Sequence, residues 1–144
     1  MIRTAREEDL SGLLDLYREL RPSDPELEKG LARERWRQIL LNDQTEVIVA
    51  EVDGVLAATC SLGINLTMTN GARSFAMIEH VVTAQAFRRM GLARQVLQFA
   101  IDLAWQRECY KVMLLSGAQL ENAHTLYRSL GFRDEVELGF VLKP

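Results

Sequence analysis

A run of basic residues interrupted by one glycine is the feature of this chain with the clearest chemical meaning. Residues 86–94 read A-F-R-R-M-G-L-A-R and precede a stretch with apolar residues at helical spacing. A helix beginning near Met90 would leave its first backbone N–H groups unpartnered and carry partial positive charge there. Gly91 has no Cβ, so a bulky anion could approach the main chain closely. Three arginines add charged donors suited to phosphate oxygens: Arg88, Arg89 and Arg94.

Two common phosphate-binding patterns are missing from the sequence. Neither G-x-x-x-x-G-K-[ST] nor G-x-G-x-x-G occurs, so nucleotide hydrolysis and dinucleotide binding both lose support. The basic segment instead reads R-x-x-G-x-A. Taken alone, this short pattern also fits a helix start whose arginines are simply solvated, and that alternative stays open.

A single carboxylate lies in an apolar strand shortly before the basic segment. Residues 78–82 read I-E-H-V-V, and on a strand with a period of two Glu79 would point opposite Ile78 and His80. A carboxylate in this setting either faces solvent or has a chemical task, because burying it unpaired is costly. His80 is a rival base with a suitable imidazole, but its side chain should project to the other face.

Together these features resemble the GNAT N-acetyltransferase superfamily. The acetyl-coenzyme A loop of that family reads Gln or Arg, two residues, Gly, one residue, then Gly or Ala, as residues 88–93 do here. A second family signature, N-x-x-x-x-Y-x-x-x-G-F, is matched from Asn122 to Phe132. Many members also place a catalytic acidic residue where this chain has Glu79. The ordered matches cover residues 74–132.

The resemblance implies a binding site for acetyl-coenzyme A. Its pyrophosphate would lie on the basic segment, and its pantetheine arm would run beside the strand that carries Glu79. Tyr127 would approach the cofactor sulfur. Asn122 would contact the pantetheine or, alternatively, cap its own helix. The implied cofactor-binding residues are Val81, Val82, Arg88, Arg89, Met90, Gly91, Leu92, Ala93, Arg94 and Asn122.

Acetyl transfer from the thioester to an amine needs a base, a contact for the oxyanion and a proton for the leaving thiolate. Because an alkylammonium has a pKa near ~10.4, Glu79 is the candidate catalytic base, acting directly or through water. The alternatives for Glu79 are an anchor for the substrate ammonium and a solvated or ion-paired carboxylate. Backbone N–H groups of Val81 or Val82 could polarise the carbonyl.

Tyr127 is the second candidate catalytic residue. A phenol can protonate a departing thiolate, although Tyr127 could instead simply pack with Leu126 and Leu130. No serine or cysteine nucleophile motif occurs, so we expect direct attack in a ternary complex rather than an acyl-enzyme.

The acceptor is less well defined than the cofactor. Residues 78–82 and 109–112 are similar to those of glucosamine-phosphate acetyltransferases within the superfamily, which suggests a phosphorylated amino sugar. Those enzymes commonly carry an aspartate after the glutamate, whereas this chain has His80. We therefore expect a small-molecule amine or a protein amine as acceptor. The alternative of a different class is a noncatalytic acyl-coenzyme A sensing or interaction domain.

Composition narrows the class of protein further. The chain has 144 residues, 48% of them hydrophobic, and a net charge of −3. We expect one N-acetyltransferase domain over residues 1–144, with no general nucleic-acid partner. Cys60 and Cys109 show no metal spacing, so both should be reduced and buried, and no metal is expected.

The sequence also bears on location and assembly. It shows no signal peptide and no apolar run long enough for a membrane span, so the expectation is a cytoplasmic protein without a membrane partner. Dimers are frequent in the resembling family, which leaves a homodimer open as a further partner. No clear interface stripe is visible in the sequence.

The pattern of elements predicts an α/β fold of the GNAT type. We expect a mixed, mostly antiparallel sheet of about six to seven strands, with helices on both faces and one parallel strand pair around the cofactor site. Strands are expected over residues 2–3, 45–51, 55–67, 74–83, 111–116 and 138–142. Helices are expected from a Thr4–Glu7 capping box to residue 20, from Ser23 or Asp24 to residue 41, and over residues 92–107 and 122–130.

Overall fold

The computed structural model describes all residues from Met1 to Pro144. The chain forms five strands and four α-helices, and three short 3₁₀ helices lie at Glu7–Asp9, Asn70–Ala72 and Gln85–Phe87. None of the helices is long and apolar enough to cross a membrane. In chain order the elements are β1 (Ile2–Thr4), α1 (Leu10–Leu20), α2 (Lys29–Leu41), β2 (Thr45–Val52), β3 (Val55–Asn65), β4 (Phe75–Thr83), α3 (Leu92–Gln106), β5 (Val112–Leu114) and α4 (Glu121–Ser129).

The strands form one sheet in the order β1-β2-β3-β4-β5. The first three pairings are antiparallel, and β4 runs parallel to β5. The β2–β3 hairpin turns at Asp53 and Gly54, whose φ angles of 50° and 79° are those of a primed turn, which matches the right-handed twist of the strands. The antiparallel meander and the parallel pair are therefore confirmed.

The expected strand count was too high by one or two. Residues 138–142 do not close the sheet, because all of residues 133–144 are exposed and none of them takes part in a backbone hydrogen bond. The apolar, β-prone composition of this segment predicted a strand, but the segment finds no partner strand in its own chain. The sheet thus ends at β5.

Helices cover both faces of the sheet, as expected. On one face α3 buries Val96, Leu97, Ala100 and Ala104 against residues of the central strands such as Ile78. We call this cluster the α3-side core. On the other face α1 and α2 bury three side chains in two smaller clusters: Leu13, Leu16 and Trp36.

The start of α2 differs from the prediction. The helix begins at Lys29, and its N-terminus is capped by Glu28, whose carboxylate accepts from the N–H groups of Gly30 and Leu31 at 2.8 and 2.9 Å. Glu28 therefore caps α2 in place of the predicted Ser23 or Asp24. Leu27 therefore lies before the helix, and both Leu27 and Leu31 are about half exposed.

The expected capping box at Thr4 was also wrong. Thr4 belongs to β1, and Asp9 instead accepts a 2.7 Å hydrogen bond from the Arg6 N–H. The buried Asp9 carboxylate also pairs with Arg3 at 2.7 and 3.0 Å, and Arg3 bonds Glu51 on β2. Arg3 therefore ties the first strand to the start of α1 and to the neighbouring strand. Its hydrogen bonds hold the pKa of Asp9 below the usual range.

This network predicts an acid-dependent part of the stability. Because the pKa of Asp9 is lower in the folded chain, the stabilisation is present above the unfolded value of ~3.9 and is lost as the pH falls through the folded value. We expect Asp9→Asn to lower the free energy of unfolding at neutral pH by about 2–4 kcal/mol, with a smaller difference from wild type near pH ~3. Chemical denaturation at both pH values measures this.

Asp15→Asn is the matched control. Asp15 pairs with Arg18 at 2.9 Å, but both side chains are mostly exposed, so its loss should change stability little at either pH. A difference between Asp9→Asn and wild type that does not change with pH would contradict the assigned role of Asp9.

Candidate functional site

Strands β4 and β5 separate partway along their length. They pair only from Ala76–Val112 to Ile78–Leu114, whereas β4 continues to Thr83. Residues 79–83 therefore have a partner strand on the β3 side but none on the β5 side. This leaves an open stretch of strand edge, where an extended ligand could lie alongside the main chain.

The open edge leads directly to the N-terminus of α3. After Thr83 the chain makes the short 3₁₀ helix at residues 85–87 and enters α3 through Gly91, which is the N-cap with a φ of 74°. A Cβ on Gly91 would meet nothing nearer than the Gln95 amide nitrogen at 4.0 Å, so space in front of the helix is free. The left-handed conformation explains why a glycine stands here.

Six consecutive backbone N–H groups at this helix tip have no acceptor within the protein. The amides of residues 89–94 donate to no backbone or side-chain group, and residues 88–91 are exposed. The helix dipole adds partial positive charge at the same place. The tip is therefore a cluster of donors suited to an anion, and no side chain of the protein accepts from them.

The three arginines predicted for this site lie close to Gly91 along the chain. Arg88 donates to the Thr83 carbonyl at 3.4 Å, and Arg94 donates to the Ser129 hydroxyl of α4 at 3.1 Å. Arg89 has a positive φ of 66°. None of the three forms an ion pair with a carboxylate of the chain, so their charge is not neutralised internally.

A β-bulge interrupts β4 at the predicted catalytic position. Ser61 pairs with Glu79 and Thr59 pairs with Val82, so His80 and Val81 together stand opposite the single residue Cys60. His80 has a φ of 54°, the left-handed value that a bulge can require. Both Glu79 and His80 are exposed.

The bulge overturns the expected orientation of His80. A strict alternation would have placed His80 with buried Ile78, but its ring lies 5.7 Å from the Tyr17 ring of α1 and its Nδ1 lies 3.3 Å from the Ser61 hydroxyl. Strict alternation of side chains does not hold here because the bulge adds one extra residue to β4. Alternation resumes with Val82, which packs with Leu16 of α1.

Ser61 and Tyr17 are site residues that the sequence argument missed. The Ser61 hydroxyl donates to the Glu79 carbonyl at 3.1 Å, and since it has one proton, it accepts from His80 Nδ1. In the neutral ring this leaves Nε2 as the unprotonated nitrogen. Burial raises the pKa of Tyr17 to about 12, so its hydroxyl is neutral at physiological pH. These residues come together only because of the bulge, and no residue type in the sequence predicts a bulge at this position.

Tyr127 lies on α4 against the α3-side core. Its ring packs edge-to-face on Phe132 with centroids 6.1 Å apart, and burial raises the pKa of Tyr127. The phenol is therefore protonated at neutral pH and could serve as a proton donor. It is not hydrogen-bonded to Glu79 or His80, so the two candidate catalytic residues remain separate in the structure.

Asn122 and Ser116 are the remaining polar candidates near the ends of β5 and α4. The N-cap of α4 is Leu120, so the alternative role of Asn122 as a cap is wrong; its exposed side chain has no hydrogen-bond partner in the protein. The Ser116 hydroxyl lies two residues beyond β5, is buried and has no partner. Ser116 follows the carboxyl end of a parallel strand, where ligand sites commonly lie. This position could have identified Ser116 as a candidate from the sequence.

The two cysteines do not take part in the site. Both are free and buried, as expected, and burial raises the pKa of the Cys60 thiol to about 12. A thiol with that pKa is not a nucleophile at neutral pH. No group of His, Cys, Asp and Glu side chains is arranged to hold a metal ion.

Comparison with known proteins places the chain in a family. Residues 13–132 match the acetyltransferase (GNAT) family, and the chain belongs to it. The match spans the open edge of β4, the tip of α3 and Tyr127. The expected resemblance is thereby confirmed.

Individual relatives agree with this assignment. The chain is 30% identical to the glucosamine 6-phosphate N-acetyltransferase of Trypanosoma brucei brucei over 132 residues, which cover 92% of this chain and 88% of that protein. A candidate acetyltransferase from Agrobacterium tumefaciens is 40% identical with a TM-score of 0.95, covering 100% of this chain and 99% of that one. An aminoglycoside N-acetyltransferase solved in complex with CoA shares the fold at 20% identity and a TM-score of 0.82, covering 99% and 93%.

Paired substitutions at His80 test the bulge. Both His80→Val and His80→Asn remove the ring and its contacts, but a β-branched residue tolerates a positive φ poorly whereas asparagine tolerates it. We expect the valine variant to have the lower free energy of unfolding, by about 1–2 kcal/mol. Urea denaturation followed by circular dichroism measures the difference.

Val55→Asn supplies the control at an exposed strand position. Val55 pairs regularly with Val52, so there the asparagine should be the less stable residue. A valine that is favoured over asparagine at position 80 as well would mean that β4 is regular there, which contradicts the bulge.

Proposed function

We propose that this member of the GNAT family is an acetyl-coenzyme A-dependent N-acetyltransferase, with residues 1–144 forming one such domain. The observation that carries the proposal is the cluster of unpartnered amides at residues 89–94, at the end of the open edge of β4. A diphosphate fits the unpartnered amides, and an extended, amide-containing arm fits the open edge of β4. The CoA complex of the structurally similar aminoglycoside acetyltransferase supports the same co-substrate.

The proposed cofactor contacts are mostly main-chain groups. Residues 89–94 would hold the diphosphate through their N–H groups, with Arg88, Arg89 and Arg94 adding charge. Val81 and Val82 lie on the open stretch of β4, where their backbone could pair with the pantetheine arm. Asn122, whose side chain is free, would contact the same arm.

The proposed reaction is direct attack of an amine on the thioester. The amine nitrogen forms a bond to the acetyl carbon, the carbon–sulfur bond breaks, and the electron pair leaves with sulfur. Glu79, exposed beside the bulge, takes the proton from the amine directly or through a water. Tyr127, whose raised pKa keeps it protonated, gives a proton to the thiolate.

The bulge changes the face of the sheet on which His80 lies, but not its candidate role as a base. Because Ser61 fixes Nδ1 and the Tyr17 ring lies against the imidazole, His80 faces the same exposed side as Glu79. It therefore stays the rival proton acceptor. Comparing variants of Glu79 and His80 decides which of the two is the base.

For the acceptor we propose a small-molecule amine. The relative from Trypanosoma brucei brucei is a glucosamine 6-phosphate N-acetyltransferase, which supports an amino-sugar phosphate as the first compound to test. The departure at His80 from the glutamate–aspartate pair common in such enzymes leaves other small amines and protein amines to be tested beside it.

A productive amine and a base variant test the proposal together. We expect acetyl-coenzyme A to release free thiol in the presence of at least one amine from a panel of amino sugars, amino-sugar phosphates, aminoglycosides, amino acids and peptides. On that amine Glu79→Gln should lower turnover by ~10²-fold or more, with little change in cofactor affinity, because it removes only the proton acceptor. A thiol assay and calorimetry provide the two readouts.

Glu34→Gln, at an exposed position on α2, is the matched control and should leave turnover unchanged. If His80→Asn abolishes turnover while Glu79→Gln retains it, the histidine is the base. Thermal stabilisation by acetyl-coenzyme A without thiol release from any amine would favour the noncatalytic acyl-coenzyme A-binding alternative.

A substitution at the helix tip tests the cofactor site separately. Gly91→Glu adds bulk and negative charge in front of the unpartnered amides, so we expect acetyl-coenzyme A binding to be lost in calorimetry. Gly71→Glu is the control, because Gly71 has a similar φ of 71° and equally open surroundings at the opposite end of β4. Normal affinity in Gly91→Glu, or equal loss in both variants, would refute the proposed site.

A further inference from the structure

A groove between α1 and α2 is the largest apolar concave surface outside the candidate functional site. It encloses about 590 Å³, a volume in the range of small-molecule sites. Helix α1 contributes Leu10 and Leu14 to its walls, and α2 contributes Ala32, Trp36 and Leu40. None of the residues that line it belongs to the open edge of β4, the bulge or the tip of α3. We call this feature the α1–α2 groove.

Trp36 is the largest buried side chain of the groove. The residue is 4% exposed, and its indole N–H donates to the Glu7 carbonyl at 3.1 Å, which ties α2 to the start of α1. Since the polar atom of the ring is already hydrogen-bonded, the rest of the ring offers only an apolar surface. The leucines beside it are not covered: Leu27, Leu40 and Leu41 are exposed by 51%, 38% and 76%. The groove therefore has a fixed apolar floor and leaves apolar walls in water.

A row of three cations lies along the groove on α2. Lys29, Arg33 and Arg37 recur every four residues, so they share one face of the helix, next to its apolar lining residues. The row is about 12 Å long at ~1.5 Å per residue. None of the three forms an ion pair, although Glu7 lines the same groove. Glu28, the carboxylate near Arg33, already accepts from the first N–H groups of α2.

Other arginines of the same two helices have polar partners. Arg18 pairs with Asp15 at 2.9 Å, and Arg35 donates to the Gln38 amide oxygen at 2.9 Å. Neither arginine lines the groove. The cations without an ion pair are thus concentrated beside the apolar floor, where they could attract an anion.

We propose that the α1–α2 groove binds a small amphiphilic anion, with an apolar chain on the Trp36 floor and an anionic head group held by Arg33 together with Lys29 or Arg37. Charge complementarity accounts for the head group, and the apolar floor accounts for the chain. A simple anion would leave the floor in water, and a neutral apolar molecule would leave the cations unused. One molecule that carries both parts satisfies the whole groove. The proposal does not depend on the acetyltransferase assignment, because the lining residues are separate from that site.

The test uses the full-length chain and decanoate as the probe, below the concentration at which decanoate forms micelles. Calorimetry should show a single binding site for decanoate. Binding should be much weaker for decyltrimethylammonium, which has the same chain and the opposite charge, and for acetate, which lacks the chain. The chain has two tryptophans, so Trp105→Phe leaves only Trp36, and its fluorescence should change as decanoate fills the groove.

Two substitutions separate the head-group contact from the apolar contact. Arg33→Glu should weaken decanoate binding by ~10-fold or more, because it replaces attraction by repulsion beside the groove. Leu40→Gln should weaken it by removing part of the apolar wall. Both residues are exposed, so both variants should keep the circular dichroism spectrum and the acetyl-coenzyme A affinity of the wild type.

Arg35→Glu is the matched control. It makes the same charge change on the same helix, but Arg35 lies outside the groove, so decanoate affinity should stay at the wild-type value. A wild type that does not bind decanoate overturns the proposal, as does equal binding of decyltrimethylammonium or an equal loss in Arg33→Glu and Arg35→Glu. Displacement of decanoate by acetyl-coenzyme A also overturns it, because the probe would then occupy the candidate cofactor site.

Discussion

Strands β4 and β5 pair over only three residue pairs, and the geometry of the site depends on where this pairing stops. Beyond Ile78 and Leu114 the parallel partner is gone, while β3 still holds the other edge of β4. Unpaired backbone N–H and C=O groups in a sheet need hydrogen-bond partners, so an open edge inside a folded domain can bind a ligand. After β4 the chain passes through a short 3₁₀ turn to the tip of α3, where the next unpartnered amides lie.

The core keeps these two features in a fixed relation. Helix α3 packs on the sheet through fully buried Ala100 and Ala104, whose small side chains let the helix approach the strands closely. The Cys60 thiol, at the point of the bulge, donates to the Val96 carbonyl at 3.4 Å. The same region of β3 therefore contacts both α3 and the bulged part of β4. A rigid contact of this kind positions main-chain donors without the entropy cost of ordering long side chains.

Sequence reasoning reached most of the fold because its strongest signals are local. The α3 apolar stripe and the R-x-x-G-x-A helix start each depend on a few adjacent residues, and each was found where it was expected. The misses depend on contacts that are distant in sequence. The bulge at His80 arises from pairing with β3, the true start of α2 depends on Glu28 rather than the earlier candidate caps, and residues 138–142 form no strand because no strand of the chain pairs with them.

The contrast between the two halves of the site explains why the cofactor was easier to predict than the acceptor. The cofactor contacts proposed at the helix tip are main-chain amides, so only the glycine and the small or basic residues around it need to be of a given type, and they leave a short pattern in the sequence. The proposed acceptor side depends on residues that the bulge and α1 place together: the His80 ring lies next to Ser61 and Tyr17, and Ser61 donates to the main-chain carbonyl of Glu79. These residues come from three elements, so no spacing along the chain marks them. Changing these side chains can alter the amine that is accepted without altering the fold.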